Sequence, residues 1–212
     1  IDKFMIPQLE EIKKTAFYAV AIFAATIVEV PARAMWQILN PLVSTAVNEN
    51  NFKELAQYLI GDECELFSLQ AFLKPPSFGL KTPVHQDNAY WCHENGNSGI
   101  TIWLSLDKAG EFNGMMKYAI NSNNQLIEHV SSSNTPGSSL IIPESKLDGF
   151  KWVQPELNPG DLSIHDGLVI HYSEKNNSRF SRRGFLLNYR SVNSKKDMKK
   201  FNAYIKKLEK MY

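Results

Sequence analysis

The sequence holds little that would tie it together covalently or draw it to a charged surface. Among its 212 residues there are two cysteines, Cys64 and Cys92. That is too few for a disulfide framework, and they do not form a paired zinc motif. A reducing, intracellular and cytoplasmic setting is expected. The net charge is +1, so no nucleic acid or anionic membrane surface is called for as a partner. The apolar stretch from Ala16 to Val28 is about 13 residues, short of the ~20 needed to span a bilayer. Gln8-Leu9-Glu10-Glu11 and Lys13-Lys14 precede it, as at the start of a soluble helix. No internal repeat, linker or basic cluster stands out. The chain opens on Ile1 rather than Met, so preceding residues, and any targeting signal among them, are expected to be missing.

What is present reads as one domain over residues 1–212. Residues 1–61 read as helical. Asn51-Phe52-Lys53-Glu54 fits an N-cap with a carboxylate three residues on, and Gly61 fits a stop. Residues 62–192 carry short strand candidates: Leu66–Leu73, Ile100–Leu106, Met115–Ile120, Leu126–Val130, Ser139–Ile142, Leu162–Ile164, Val169–Tyr172 and Phe185–Tyr189. In the second of these, Ile100, Ile102, Leu104 and Leu106 face one way, and Thr101, Trp103 and Ser105 the other. Short strands punctuated by Gly, Pro, Asn and Ser, with no helices between, predict an antiparallel jelly roll. Residues 193–212 predict a helix, with Met198, Phe201, Ile205, Leu208 and Tyr212 at steps of three or four. The fold class is therefore mainly β with flanking helices, around a cupin-like double-stranded β-helix.

Five histidines are available, and two of them suggest a metal site. His85 and Asp87 are two apart, and in an extended strand such a pair points to one face. His171 closes the strand candidate Val169-Ile170-His171, after the turn signal Asn158-Pro159-Gly160-Asp161. His165, in the same segment, competes with it. Two imidazoles and a carboxylate on a β scaffold match the facial triad of non-haem iron(II) oxygenases. Arg182, eleven residues past His171, adds a planar fork suited to a carboxylate. Strand alternation lets only one of Arg182 and Arg183 point inward.

These pieces stand in an order that resembles the phytanoyl-CoA dioxygenase family of Fe(II)/2-oxoglutarate oxygenases. They are Phe72-Leu73-Lys74-Pro75-Pro76, then His85-Gln86-Asp87-Asn88-Ala89-Tyr90-Trp91, then Ile102-Trp103-Leu104-Ser105-Leu106-Asp107 and Asn113-Gly114. Gly160-Asp161, His171-Tyr172-Ser173, Asn176 and Arg182 complete the set. One departure is visible. The family often follows its Asn-Gly with a strand ending in Pro-Gly-Ser/Thr-His, where this chain has Ile120-Asn121-Ser122-Asn123.

The resemblance implies iron(II) on His85, Asp87 and His171, with 2-oxoglutarate as cosubstrate and O2 as oxidant. It implies that Arg182 takes the distal carboxylate of 2-oxoglutarate with help from Ser173, that Trp103 packs beside it, and that Asn176 shapes the turn leading to Arg182. Gln70 and Lys74 are further candidates for the cosubstrate pocket, and Tyr90 and Trp91 for a substrate wall. The implied activity is hydroxylation of an unactivated C–H of a small organic molecule, with 2-oxoglutarate converted to succinate and CO2. A cupin-type metal protein without 2-oxoglutarate and a non-catalytic jelly-roll module are the alternatives. The first would not require Arg182, and the second would be favoured by an altered triad, whereas this one is intact.

Overall fold

The computed structural model describes residues 52–132 and 138–209. The Asn51 cap and the helical reading up to that residue lie outside this range. Helix α1 (Phe52–Ile60) opens the described chain and ends at Gly61, whose φ of 78° lies in the left-handed region that glycine adopts without strain. Its buried Phe52 and Ala56 pack on the first sheet.

That sheet contains β1 (Cys64–Lys74), β3 (Gly99–Ser105), β8 (Leu162–Asp166) and β10 (Arg182–Ser191), in the order β1-β10-β3-β8. A second sheet contains β2 (Thr82–His85), β4 (Met116–Ala119), β7 (Trp152–Val153) and β9 (His171–Ser173), in the order β2-β9-β4-β7. A two-stranded ribbon pairs β5 (Val130–Ser131) with β6 (Leu140–Ile141). All pairings are antiparallel. Helix α2 (Asn88–Trp91) follows β2, and α3 (Met198–Glu209) closes the described chain.

Strand β3 shows how sequence becomes layer. All seven of its residues are buried. Ile100, Ile102 and Leu104 join Leu187, Phe185 and the α1 side chains in one core cluster. Thr101 and Trp103, on the opposite face, turn toward the second sheet and border an internal cavity. At ~25 cal/mol per Å2, each fully buried Ile or Leu contributes roughly 1.5–3 kcal/mol, so the outer face anchors the strand and the inner face is left for chemistry. Gly184 on β10 sits beside Trp103. A Cβ there would lie 2.5 Å from the indole, so the glycine leaves space for the ring rather than for a ligand.

Two sequence expectations are corrected in detail. The candidate Leu126–Val130 is strand only at Val130–Ser131. Asp87 does not continue strand β2: the strand ends at His85, and Asp87, with φ −59° and ψ −35°, opens α2. Its carbonyl accepts from the Tyr90 and Trp91 amides. A helical turn, not a β pleat, thus brings its carboxylate round beside His85.

Candidate metal and diacid site

The ligand atoms of His85, Asp87 and His171 lie within 4.8 Å of one another. His85 and His171 are cross-strand partners in β2 and β9. Each imidazole is oriented by its own strand: Nδ1 of His85 contacts the Pro83 carbonyl at 2.8 Å, and Nδ1 of His171 contacts the Val169 carbonyl at 3.0 Å. A carbonyl can only accept, so each Nδ1 carries the proton and each Nε2 is left with a lone pair. Both Nε2 atoms face Asp87 Oδ1, at 3.5 and 3.7 Å.

The other carboxylate oxygen is held from behind. Thr101 Oγ1 donates to Asp87 Oδ2 at 2.6 Å, and His165 Nε2 reaches the same oxygen at 3.2 Å. His165, a competitor for the metal position on sequence grounds, is therefore placed behind the carboxylate and outside the three-residue cluster. Burial alone would raise the Asp87 pKa, but the His171, His165 and His85 imidazoles outweigh it and hold the carboxyl well below its usual range. Burial, with His85 and His165 adding to it, holds His171 well below the usual histidine value. An ionised carboxylate beside a neutral His171 is the protonation state a divalent first-row metal needs.

Gln86, between His85 and Asp87, is fully buried. Its amide donates to the Leu168 and Gln125 carbonyls and accepts from the Ile127 amide. Its own N–H donates to His129 Nε2 at 3.1 Å. Nothing in its spacing singles it out, because its partners are main-chain groups nearly forty or more residues away.

Arg182 is wholly buried, and Nε, Nη1 and Nη2 have no hydrogen-bond partner among the described residues. Its guanidinium lies 5.2 Å from the ring centroids of both Phe72 and Trp103. Burial pulls its pKa down to about 10, which still leaves it charged at neutral pH. A buried, unpaired cation costs several kcal/mol, and the planar fork matches a carboxylate. The cavity it shares with Trp103, Ser173, His85, Asp87 and His171 has a volume of about 60 Å3. Arg183 faces the other way and forms a bidentate pair with Asp107 through Nε at 2.9 Å and Nη2 at 2.8 Å.

The remaining sequence candidates divide. Lys74 borders neither this cavity nor the larger one beside it; its ammonium donates to the Ser173 and Glu174 carbonyls. Gln70, Tyr90 and Trp91 border the larger cavity, of about 340 Å3, which shares His85, Asp87, Phe72, Thr82 and Leu186 with the first. Asn176 donates to the Lys74, Pro75 and Phe180 carbonyls and accepts from Ser178, which ties the turn before Arg182 to the end of β1. Asn113 ties the Asn-Gly corner to the Ser181 carbonyl, next to Arg182.

Against this geometry, the family model for phytanoyl-CoA dioxygenase (PhyH) matches residues 9–184. The chain belongs to the phytanoyl-CoA dioxygenase family. Among curated members, it is 30% identical over 131 residues to 2-aminoethylphosphonate dioxygenase of uncultured bacterium HF130_AEPn_1, a match covering 62% of this chain and 47% of that one. It is 24% identical over 151 residues to phytanoyl-CoA dioxygenase domain-containing protein 1 of Bos taurus, covering 69% and 52%. The chain thus spans about half the length of the curated relatives it matches.

Among solved structures, it superposes on EctD from S. alaskensis, determined with 2-oxoglutarate and 5-hydroxyectoine, with TM-score 0.65 and 18% identity over 90% of this chain and 70% of that one. EvdO2 from Micromonospora carbonacea, complexed with 2-oxoglutarate, gives TM-score 0.56 and 26% identity over 66% and 58%.

As a member of the phytanoyl-CoA dioxygenase family, this chain departs at Ile120-Asn121-Ser122-Asn123, and the structure shows how the turn survives. Asn121 takes the left-handed region, φ 58°, which asparagine tolerates better than most residues. The Ser122 hydroxyl donates to the Ala119 carbonyl and accepts from the Ile170 amide, next to His171. Asn123 donates to Asp166 Oδ2 at 2.7 Å.

Proposed function

We propose that this protein is an Fe(II)/2-oxoglutarate-dependent dioxygenase that hydroxylates an unactivated C–H of a small organic molecule. The observation that carries the reading is the fully buried, partnerless Arg182 guanidinium in the same cavity as the His85, Asp87 and His171 cluster. A jelly-roll metal protein that does not use a diacid has no use for a buried cation there, which disfavours the cupin-type alternative. A non-catalytic module is disfavoured by the complete three-residue donor set.

The residues fit the groups this chemistry requires. His85 Nε2, His171 Nε2 and Asp87 Oδ1 would hold the metal on one side only, leaving the other positions to cosubstrate and oxygen. Arg182 would take the distal carboxylate of 2-oxoglutarate, with Ser173 and Trp103 beside it. Iron(II) with 2-oxoglutarate and O2 supplies an oxidative decarboxylation that yields succinate and CO2 and leaves the second oxygen atom on the substrate carbon. The protein's own part is to orient the partners and exclude water. Trp103, buried between Arg182 and the core, keeps the diacid pocket dry. The larger cavity, sharing the His85 and Asp87 side chains, would receive the substrate against Tyr90 and Trp91.

No helix among the described residues is long and apolar enough to cross a membrane. With Cys64 and Cys92 both free and buried, we place the enzyme in the reducing cytoplasm. The test is anaerobic titration of the iron(II)-loaded protein with 2-oxoglutarate. The expected result is the weak visible charge-transfer band of the chelated diacid, absent in Asp87→Ala, and succinate formation on admission of air. Iron binding without any response to 2-oxoglutarate would instead favour the cupin-type reading.

A further inference from the structure

Beside its aromatic faces, the larger cavity takes polar side chains from Ser68, Gln70, Thr82, Ser138 and Asn188, and of these five Asn188 alone is buried. Phe67, Phe72, Tyr90 and Trp91 line it. The Tyr90 hydroxyl is unavailable, since it donates to the Leu140 carbonyl and accepts from the Leu140 amide. Arg190, whose guanidinium lies over Phe67, is spent on Glu65 through Nε at 2.9 Å and Nη2 at 2.7 Å. Asn188 is different. It is 5% exposed, borders the cavity, and contacts Thr101 Oγ1 at 3.1 Å.

The Thr101 hydroxyl has a single proton. At 2.6 Å from a carboxylate, that proton goes to Asp87 Oδ2. With Asn188 Oδ1 turned toward Thr101, the same hydroxyl would have to donate twice. The conflict disappears when the amide is turned over, because its nitrogen then donates to Thr101. Within an amide the two ends are assigned from hydrogen bonding, and here the bonding decides. The Asn188 oxygen is thereby left facing the cavity, within one residue of a metal-ligating carboxylate.

We infer that Asn188 is the residue that orients the substrate, its amide oxygen accepting from a hydroxyl or ammonium group on a molecule that carries no net negative charge. The inference rests on the reading of the site proposed above and names its substrate class. Charge supports it: iron(II), Asp87, the 2-oxoglutarate dianion and Arg182 sum to zero. No lysine or arginine among the described residues borders this cavity to balance an anion. The aromatic walls accept an apolar body, or an ammonium group over a ring face.

The experiment uses three probes of one skeleton: 2-phenylethanol, 2-phenylethylamine and phenylacetate. Each is titrated calorimetrically, without oxygen, into protein loaded with iron(II) and 2-oxoglutarate. The two donors are expected to bind at least about tenfold more tightly than phenylacetate, the size of discrimination one misdirected buried hydrogen bond imposes. Thr101→Val frees the amide to turn over and should collapse that ratio to roughly threefold or less, whereas Thr101→Ser keeps the donor and the ratio. Asn188→Leu, which leaves Thr101 on Asp87, should collapse it too, and it decides the matter if Thr101→Val no longer binds 2-oxoglutarate. Phenylacetate binding as well as the donors, no probe binding, or an unchanged ratio in Asn188→Leu overturns the inference and leaves the dioxygenase reading standing. Failure to form the 2-oxoglutarate complex at all overturns both.

Discussion

At the scale of single residues, Arg182 and Arg183 form a natural experiment. They are adjacent in sequence and opposite in environment: one guanidinium is sealed and unpaired, the other is half-exposed and doubly bonded to Asp107. Arg182→Ala should raise the apparent requirement for 2-oxoglutarate by tens-fold or more, because charge-assisted bonds are worth ~1.5–3 kcal/mol each, with iron affinity nearly kept. Arg183→Ala should leave that requirement alone and cost about 1 kcal/mol of stability, as partly exposed ion pairs do. Steady-state kinetics and urea unfolding of both variants measure the two effects, and the reverse ranking would place the diacid elsewhere. His165 offers a second contrast. It meets Asp87 at the rear oxygen and packs beside the His171 ring, so His165→Ala should weaken iron(II) or manganese(II) binding by about tenfold, the lower end for the loss of a group that orients a metal ligand. Binding equal to that of the native protein would make His165 mere packing.

At the scale of elements, strand β3 was legible because its alternation is regular and its apolar face meets α1. Strand β2 was not. It is four residues long and contains Pro83, and a proline with one flanking valine gives no period to read. Asp87 was readable as a candidate ligand but not as a helix start. Aspartate at such a position usually caps the helix, yet here its side chain makes no cap bond and serves the site instead. The support that Thr101 and His165 give Asp87 was hidden for another reason. A threonine on an inward strand face carries no signal until its partner, 14 residues away in sequence, is in place.

The join between β1 and the turn after β9 yields a pH prediction. Burial, with Arg182 nearby, lowers the Lys74 pKa from 10.5 to about 7. Between those values the unfolded chain holds a proton that the folded chain has released, so this residue makes stability rise as pH climbs from about 7 toward 10.5. The stability difference between native protein and Lys74→Met, followed by denaturant titration across that window, should grow with pH in favour of the native protein. A constant difference would mean that Lys74 keeps its charge on the Ser173 and Glu174 carbonyls.

At the scale of the whole molecule, the two sheets frame the buried Arg182 guanidinium, which has no hydrogen-bond partner among the described residues. The strands β2 and β9, which carry His85 and His171, belong to one sheet, and Arg182, Thr101 and Trp103 to the other. A diacid bound to the metal at one end and to Arg182 at the other would therefore tie the sheets together. Ligand that binds only the folded state at ~100 times its Kd adds about 2.7 kcal/mol, and for a domain of this size each kcal/mol moves the melting point by ~2–4 °C. In the presence of manganese(II), 2-oxoglutarate should thus raise the melting temperature by about 5–10 °C. The rise should shrink sharply without metal, because one end of the tie is lost, and again in Arg182→Ala, because the other is. Succinate, which has both carboxylates but no 2-keto group with which to chelate, should give a smaller shift that still depends on Arg182. A full shift from 2-oxoglutarate in Arg182→Ala would mean that the metal alone holds the diacid and that the buried guanidinium serves the fold rather than the cosubstrate.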